Sequence, residues 1–288
     1  WLVQIPEYAN AEKLFNDDYS YLSSTSQSWS LHAKEFAYYV IKKLDLNEKS
    51  SVLEIASNDG YLLKHFVKHK IPSIGIEPTK ICANLSRKKG IDTREKFFNL
   101  KPAEKLAEEK KFDLIIANNV LAHVPDLNDF IKGIHKVLKP DGFVSIEFPH
   151  LLQIIRNNQF DTIYHEHYSY FSLSVVKRIV SEYGLEVVDV EELTTHGGSL
   201  RVWLGHYGKF NKSKNIEKII SQETQSELEN LNAYSKFQEN AYKIKASFLK
   251  YLISKKESNT RVIGYGAAAK GNTLINYCGV KNDLIEFV

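Results

Sequence analysis

The sequence predicts an α/β protein built on a doubly wound parallel sheet. Three observations carry that reading. Short apolar runs alternate with helical-period stretches between residues 51 and 148. Tight polar turns join strand to helix. Two further apolar runs, Leu185–Val190 and Leu200–Leu204, follow a serine-capped helix and suit the closing edge of the same sheet.

Taken in order, Tyr19–Ser30 is polar and aromatic and precedes a helix with Phe36, Val40 and Leu44 on one face. Ser51–Ile55 reads as a buried strand and Ala56–Gly60 as a tight turn, after which Leu63, Phe66 and Val67 give the next helix its apolar stripe. Ile74–Ile76 is a short strand, followed by a helix from about Lys80. Asp113–Ala117 is another strand. Asp126–Leu138 is a helix ended by the Pro140-Asp141-Gly142 turn, and Phe143–Phe148 is the next strand. Ser172–Glu182 reads as a helix. From Lys209 to Ser258 the composition turns polar with spaced apolar residues (Ile219, Leu228, Phe237, Leu249), which predicts long surface helices. Arg261–Ile263 then opens a second strand–turn–helix, VIGYGAAAKGNTLI. The expected division is 1–207 for the main domain with its N-terminal aromatic segment, and 208–288 for a helical linker and a second, partial Rossmann-like βα unit.

Composition narrows the function. The 288 residues, 43% hydrophobic and 25% charged, suit a soluble globular protein. No apolar run approaches the roughly 18 residues of a membrane span, and the N-terminus lacks the pattern of a signal peptide. A net charge of +3, from 38 basic and 35 acidic residues, does not point to nucleic acid but leaves anionic small molecules open. Cys82 and Cys278 make neither metal-ligand spacing nor a disulfide framework, so a reducing cytoplasm is expected. The chain starts at Trp1 and contains no Met, so it reads as a fragment. Leu284–Val288 reads as a strand cut short.

The densest chemistry is Asp161–Tyr170, DTIYHEHYSY, with two histidines, two acids and three tyrosines. Such groups need partners when buried and handle protons near neutral pH. Extended, this stretch would put Tyr164 and Glu166 on one face and His165 and His167 on the other. A bend there is therefore required if Glu166 and His167 are to meet. His165 and His167 lack an obvious third ligand, so no metal is expected.

A ligand of an open α/β sheet binds at the carboxyl ends of its strands. Glu54, Ala56, Ser57, Asn58, Asp59 and Gly60 sit at the end of the first strand, and Glu77-Pro78 at the end of the second. A glutamate there can accept ribose hydroxyls. The turn is not G-x-G-x-x-G, and its acids repel phosphate but welcome a cation. That favours S-adenosylmethionine, a sulfonium without phosphates, over NAD. Asn118 and Asn119 end the third strand of this set.

VLEIASNDG, GIEPT and DLIIANNVLAHV together resemble motifs of class I S-adenosylmethionine-dependent methyltransferases. DYSYLSS, FDTIYHEHYSYFS, THGGSLRV and GYGAAAKGNT resemble, more narrowly, the sugar C-methyltransferases that act on nucleotide-linked 4-ketohexoses. The resemblance covers nearly the whole chain. It implies a class I Rossmann-like fold, S-adenosylmethionine as methyl donor and a nucleotide sugar as substrate, in deoxysugar biosynthesis. Such proteins usually begin with a cysteine-rich zinc domain. No cysteine cluster is present here, so zinc is expected only in such a domain.

Forming a carbon–carbon bond beside a ketone requires a base for the C–H and donors for the enolate oxygen. The resemblance assigns the base to His167, with His165 the competing choice. It assigns orientation or sugar binding to Tyr164 and Glu166, the ketone or enolate contact to His123, and closure over the sugar to Tyr21. Around Thr195–Arg201, His196 is either functional or part of a turn before a strand, and Arg201 can meet an anion. Lys270, Asn272 and Thr273, at a small-residue turn opening a helix, suit the diphosphate of the substrate. The competing readings are an O-methyltransferase, a nicotinamide-dependent oxidoreductase using the Gly264–Thr273 turn, and a scaffold with a decayed site.

Overall fold

The computed structural model describes residues 2–8, 10–15, 21–266 and 268–288. Asp18–Ser20 of the DYSYLSS motif and Ala267 of GYGAAAKGNT lie outside the described residues.

A seven-stranded sheet organises the chain. Its strands are β1 (Val52–Ile55), β2 (Ser73–Ile76), β3 (Asp92–Arg94), β4 (Phe112–Asn118), β5 (Leu138–Pro149), β6 (Leu185–Leu193) and β7 (Ser199–His206). They lie in the order β3-β2-β1-β4-β5-β7-β6. The first five run parallel, while β7 is antiparallel to both β5 and β6. The order reverses at β1, so the ends of β1 and β4 flank the topological switch point where ligands of such sheets bind. The doubly wound sheet that the resemblance implied is present.

Central strands are apolar on both faces because helices cover both. Along β4, Ile115 and Ala117 join the cluster that packs under the Leu100–Glu109, Leu127–Val137 and Leu173–Ser181 helices, while Leu114 and Ile116 face the Gln27–Lys43 and Leu63–Lys68 helices. All four are fully buried. Ser172 caps its helix as expected, its Oγ accepting the Val175 N–H at 3.3 Å.

Several elements differ from expectation. The Pro140-Asp141-Gly142 turn is absorbed into β5. Pairing passes from Phe112↔Leu138 to Leu114↔Phe143, so the turn bulges from the strand instead of separating it from the helix. Arg261–Ile263 does not form a strand. Val262 and Gly264 make two ladder-like hydrogen bonds with Glu286 and Phe287, too few for a sheet, and Ile263 stays exposed. The polar stretch 209–258 does form two helices, Asn215–Gln225 and Leu231–Glu257. Unforeseen were the polar edge strand β3, the Leu100–Glu109 and Leu151–Arg156 helices, and the pairing of Val3–Gln4 with Ser169–Tyr170. That last pairing clips the N-terminal segment onto the end of the DTIYHEHYSY stretch.

Beyond the sheet, the Ala269–Cys278 helix packs on Leu231–Glu257 through Leu252, Cys278 and Val280. It also meets the chain just before the DTIYHEHYSY stretch, where the Tyr277 and Phe160 rings lie 4.8 Å apart.

Candidate active site

After β1 the chain turns through three residues of positive φ: Ala56 (56°), Asn58 (48°) and Gly60 (76°). Glycine is required at the last. A Cβ on Gly60 would come within 2.4 Å of Ile91 Cδ1 and 2.7 Å of Ser86 Oγ. The turn is tied to β2, since the Ser57 N–H donates to the Ile76 carbonyl and the Asn58 N–H to Glu77 Oε2 at 2.9 Å. Glu77 Oε1 accepts both the N–H and the hydroxyl of Thr79. The predicted ribose ligand is thus already a clamp for its own turn, and a ribose must share its remaining lone pairs.

Asn58 departs from its expected direct role. Its Oδ1 accepts the Ser23 N–H and its Nδ2 donates to the Tyr21 carbonyl, so it anchors the Tyr21–Ser23 segment over the turn. Asp59 is neutralised by Lys89 at 2.9 Å. Glu54, like Glu77, has no counter-charge among the described residues. It is buried, its Oε2 has no partner, and burial, then Glu77, then Asp59 push its pKa well above the usual carboxylate range. At the end of β4, Asn118 Oδ1 and both side-chain polar atoms of Asn119 are also buried without partners. Unsatisfied buried polar atoms at a sheet's carboxyl edge call for a ligand. The donor set fits a cationic nucleoside: acids for the charge, Glu77 for the ribose, Asn118 and Asn119 for the remaining polar groups. Pro78 is partly buried beside Glu77.

The acceptor side is assembled differently. The DTIYHEHYSY stretch turns at His165-Glu166, with the His167 N–H donating to the Tyr164 carbonyl at 2.9 Å. The bend that the predicted site required is present. It leaves His165 exposed and brings the Tyr164 and His167 rings to 4.3 Å. His123, reached through a short turn after β4, lies 4.8 Å from the His167 ring. His167 Nδ1 lies 2.9 Å from the Thr162 carbonyl and must donate to it, so Nε2 carries the lone pair of the neutral ring. Burial holds His167 down to about 4 and His123 to about 3, and pushes Tyr164 up to about 12. Glu166 acts on Tyr164 electrostatically, and the Tyr21 phenol does so too.

Lys270 is within electrostatic reach of both His167 and His196, so the C-terminal helix delivers its lysine to this cluster. Asn272 and Thr273 turn inward on the helix: Asn272 Oδ1 accepts from Asn276, and Thr273 Oγ1 donates to the Ala269 carbonyl. His196 lies in the β6–β7 connection, as the turn reading expected, with φ of 52° and its ring 5.3 Å from Trp29.

Arg201 does not reach an anion. It is buried and its guanidinium is consumed by Glu147 and Glu191. Its place on the middle of β7, opposite Glu147 of β5, explains this. Sequence reasoning also passed over Trp29, His32, Tyr61 and Glu147. His32 Nε2 is 2.8 Å from Glu147 Oε2, and its ring stacks on Trp29 at 4.9 Å. An acid alone in an apolar strand, IEFP, was the available signal for Glu147. Among the described residues no group of three or more His, Cys, Asp or Glu side chains could hold a metal ion. No helix there is long and apolar enough to cross a membrane.

Residues 31–190 match the methyltransferase domain family, and residues 194–288 match the C-methyltransferase C-terminal domain family. The second match includes the Gly264–Thr273 turn. The chain is 28% identical over 289 aligned residues to C-methyltransferase NovU of Streptomyces niveus, covering 100% of this chain and 69% of that protein. It is 26% identical to malonyl-[acyl-carrier protein] O-methyltransferase of Priestia megaterium, covering 87% of this chain and 90% of the other. The PH0226 protein of Pyrococcus horikoshii shares the fold at a TM-score of 0.50 and 14% identity, over 65% of this chain and 94% of that one. With a methyltransferase domain matched over more than half its length, the chain belongs to the S-adenosylmethionine-dependent methyltransferases, and its C-terminal part is similar to the C-methyltransferase C-terminal domain family.

Proposed function

We propose that the protein methylates a carbon next to the ketone of a nucleotide-linked sugar, with His167 as the base. The observation that carries this is the fixed tautomer of His167. Its Nδ1–H is committed to the Thr162 carbonyl, and the Nε2 lone pair remains for a substrate proton. Its depressed pKa keeps it neutral, as a base must be, at any pH well above 4.

In this reading the substrate C–H gives its proton to His167 Nε2, and the bonding pair moves into the ketone as an enolate. The enolate oxygen is met by His123 or Tyr164, both neutral near pH 7 and both beside the His167 ring. Glu54, Glu77, Asn118 and Asn119 hold the methyl donor, and bound S-adenosylmethionine supplies an electrophilic methyl group on a sulfonium. Lys270 sits next to the start of its helix, where a positive charge and free N–H groups suit a diphosphate. Tyr21 closes the sugar side near Tyr164, and His196 lines it.

Deuterium at the carbon next to the ketone is the test. With a panel of nucleotide ketosugars and isotope-labelled methyl donor, the product loses deuterium to solvent and carries the label on carbon. An O-methylated product that retains all its deuterium overturns the reading.

A further inference from the structure

Between donor and acceptor sides stands Trp29, on the first turn of the Gln27–Lys43 helix. Its ring lies 6.2 Å from that of Tyr61, and Tyr61 in turn is within electrostatic reach of Glu54. On another side it meets His196, 5.3 Å away, which shares Lys270 with the catalytic His167. Trp29 therefore faces the acceptor side directly, at His196, and reaches the donor side only through Tyr61.

Two contacts hold the indole: a side-chain hydrogen bond with Tyr61 and, setting the plane of the ring, a stack on His32, three residues along the same helix. The two rings stack at 4.9 Å with 19° between their planes. His32 Nε2 is held at 2.8 Å by Glu147 Oε2, and Glu147 is completely buried at the carboxyl end of β5. The other carboxylate oxygen is gripped twice by Arg201, at 2.8 and 2.6 Å, and Arg201 is itself tied to Glu191. Placing an ion pair inside the sheet is costly, and apolar residues of the same volume would do as well for stability alone. The pair has a use if its purpose is to aim something. On one side it reaches Glu191, and on the side of the site it reaches His32 and, through His32, Trp29.

We propose that His32 is a positioning residue: anchored by Glu147, it holds Trp29 flat as the wall against which the acceptor is seated beside His196. This rests on the acceptor-side reading above only for the acceptor's identity. The donor pocket depends on Glu54 and Glu77, so loss of His32 leaves donor affinity alone and acts on acceptor binding.

Two measurements on the full chain test it. In His32→Ala the acceptor KM rises by about twofold to tenfold, the worth of one aromatic contact, with the Kd for S-adenosylhomocysteine unchanged and kcat nearly so. His32→Gln, which can still donate to Glu147 but cannot stack, reproduces the rise. His32→Phe, which stacks but cannot donate, recovers part of it. An unchanged acceptor KM in His32→Ala overturns the proposal, and so does a parallel loss of donor affinity. The second measurement needs no acceptor. With 5-fluorotryptophan in place of Trp, the resonance assigned to Trp29 by Trp29→Phe broadens or splits in His32→Ala while that of Trp203 stays sharp. If Trp29 stays sharp and unshifted, His32 does not hold it, whatever the protein methylates. If no nucleotide ketosugar is turned over by the parent chain, the sugar assignment fails, and the fluorine signal still decides the role of His32.

Discussion

On the donor side, Glu54, Asn58, Gly60 and Glu77 fall within one strand–turn–helix–strand unit, and the Glu77 carboxylate is wired to the backbone of Asn58 and Thr79. On the acceptor side, Tyr21, His123, Tyr164, His167, His196 and Lys270 come from five separate stretches of chain. The first region is rich in acid and awaits a cation. The second is built from imidazoles and phenols that burial keeps neutral. The difference follows from the tasks: a charged donor is held by opposite charge, whereas a C–H proton must go to an uncharged base. It also predicts that damage to one side leaves the other intact.

The sharpest separation is expected from His167→Ala. Loss of a general base costs about 10²–10⁴ in kcat, while calorimetric affinity for S-adenosylhomocysteine stays at the parent value. If donor binding falls with turnover, the two regions are not independent. The acid limb of kcat/KM in the parent lies near 4, below the ordinary imidazole value of 6.5, because burial disfavours the protonated ring. The same depression acts on stability. The unfolded chain takes up these protons near 6.5, whereas folded His167 and His123 resist until about 4 and 3. Their contribution is therefore full above 6.5 and is lost as pH falls through the folded values.

Glu77→Ala breaks the other side. One carboxylate releases the Asn58 N–H and both Thr79 groups, and the ribose loses its acceptor. Donor affinity weakens by about 10- to 100-fold, the range for hydrogen bonds to a charged group, while kcat at saturating donor changes little. A large fall in saturated kcat would mean that the turn also orients the acceptor, erasing the distinction.

The same contrast explains what was legible in the sequence. The donor unit is local, so strand, turn, helix and the terminal Glu77 were readable from spacing and charge. The parallel sheet, though not its strand order, followed from the alternation of helices with the apolar runs Ser51–Ile55, Ile74–Ile76 and Asp113–Ala117. The acceptor residues carry no mutual spacing, and Tyr164, His167 and His123 were reached through resemblance. Even then, strand alternation set His167 on the wrong face until the turn at His165-Glu166 supplied the bend. Arg201 misled because an arginine beside two glycines looks free, while its partner Glu147 lies 54 residues away on another strand. The β3 edge was missed because Asp92-Thr93-Arg94 has no apolar period.

The smallest effect tests how the donor turn is held. Ala56 occupies left-handed backbone at φ 56°, where a side chain costs roughly 1–2 kcal/mol. Glycine would remove that strain but lose about 0.4–1 kcal/mol through the freer unfolded chain. Ala56→Gly therefore gains a net of roughly 0.5–1 kcal/mol, seen as a small rise in the denaturant midpoint at constant slope. Because Asn58, Gly60 and Glu77 fix the turn from its far side, donor affinity should stay within about twofold of the parent, a shift well under the 1.4 kcal/mol of a tenfold change. A loss of affinity together with the gain in stability would show that the strain at Ala56 presets the turn for its ligand, making the donor side dependent on stored backbone energy as well as on charge.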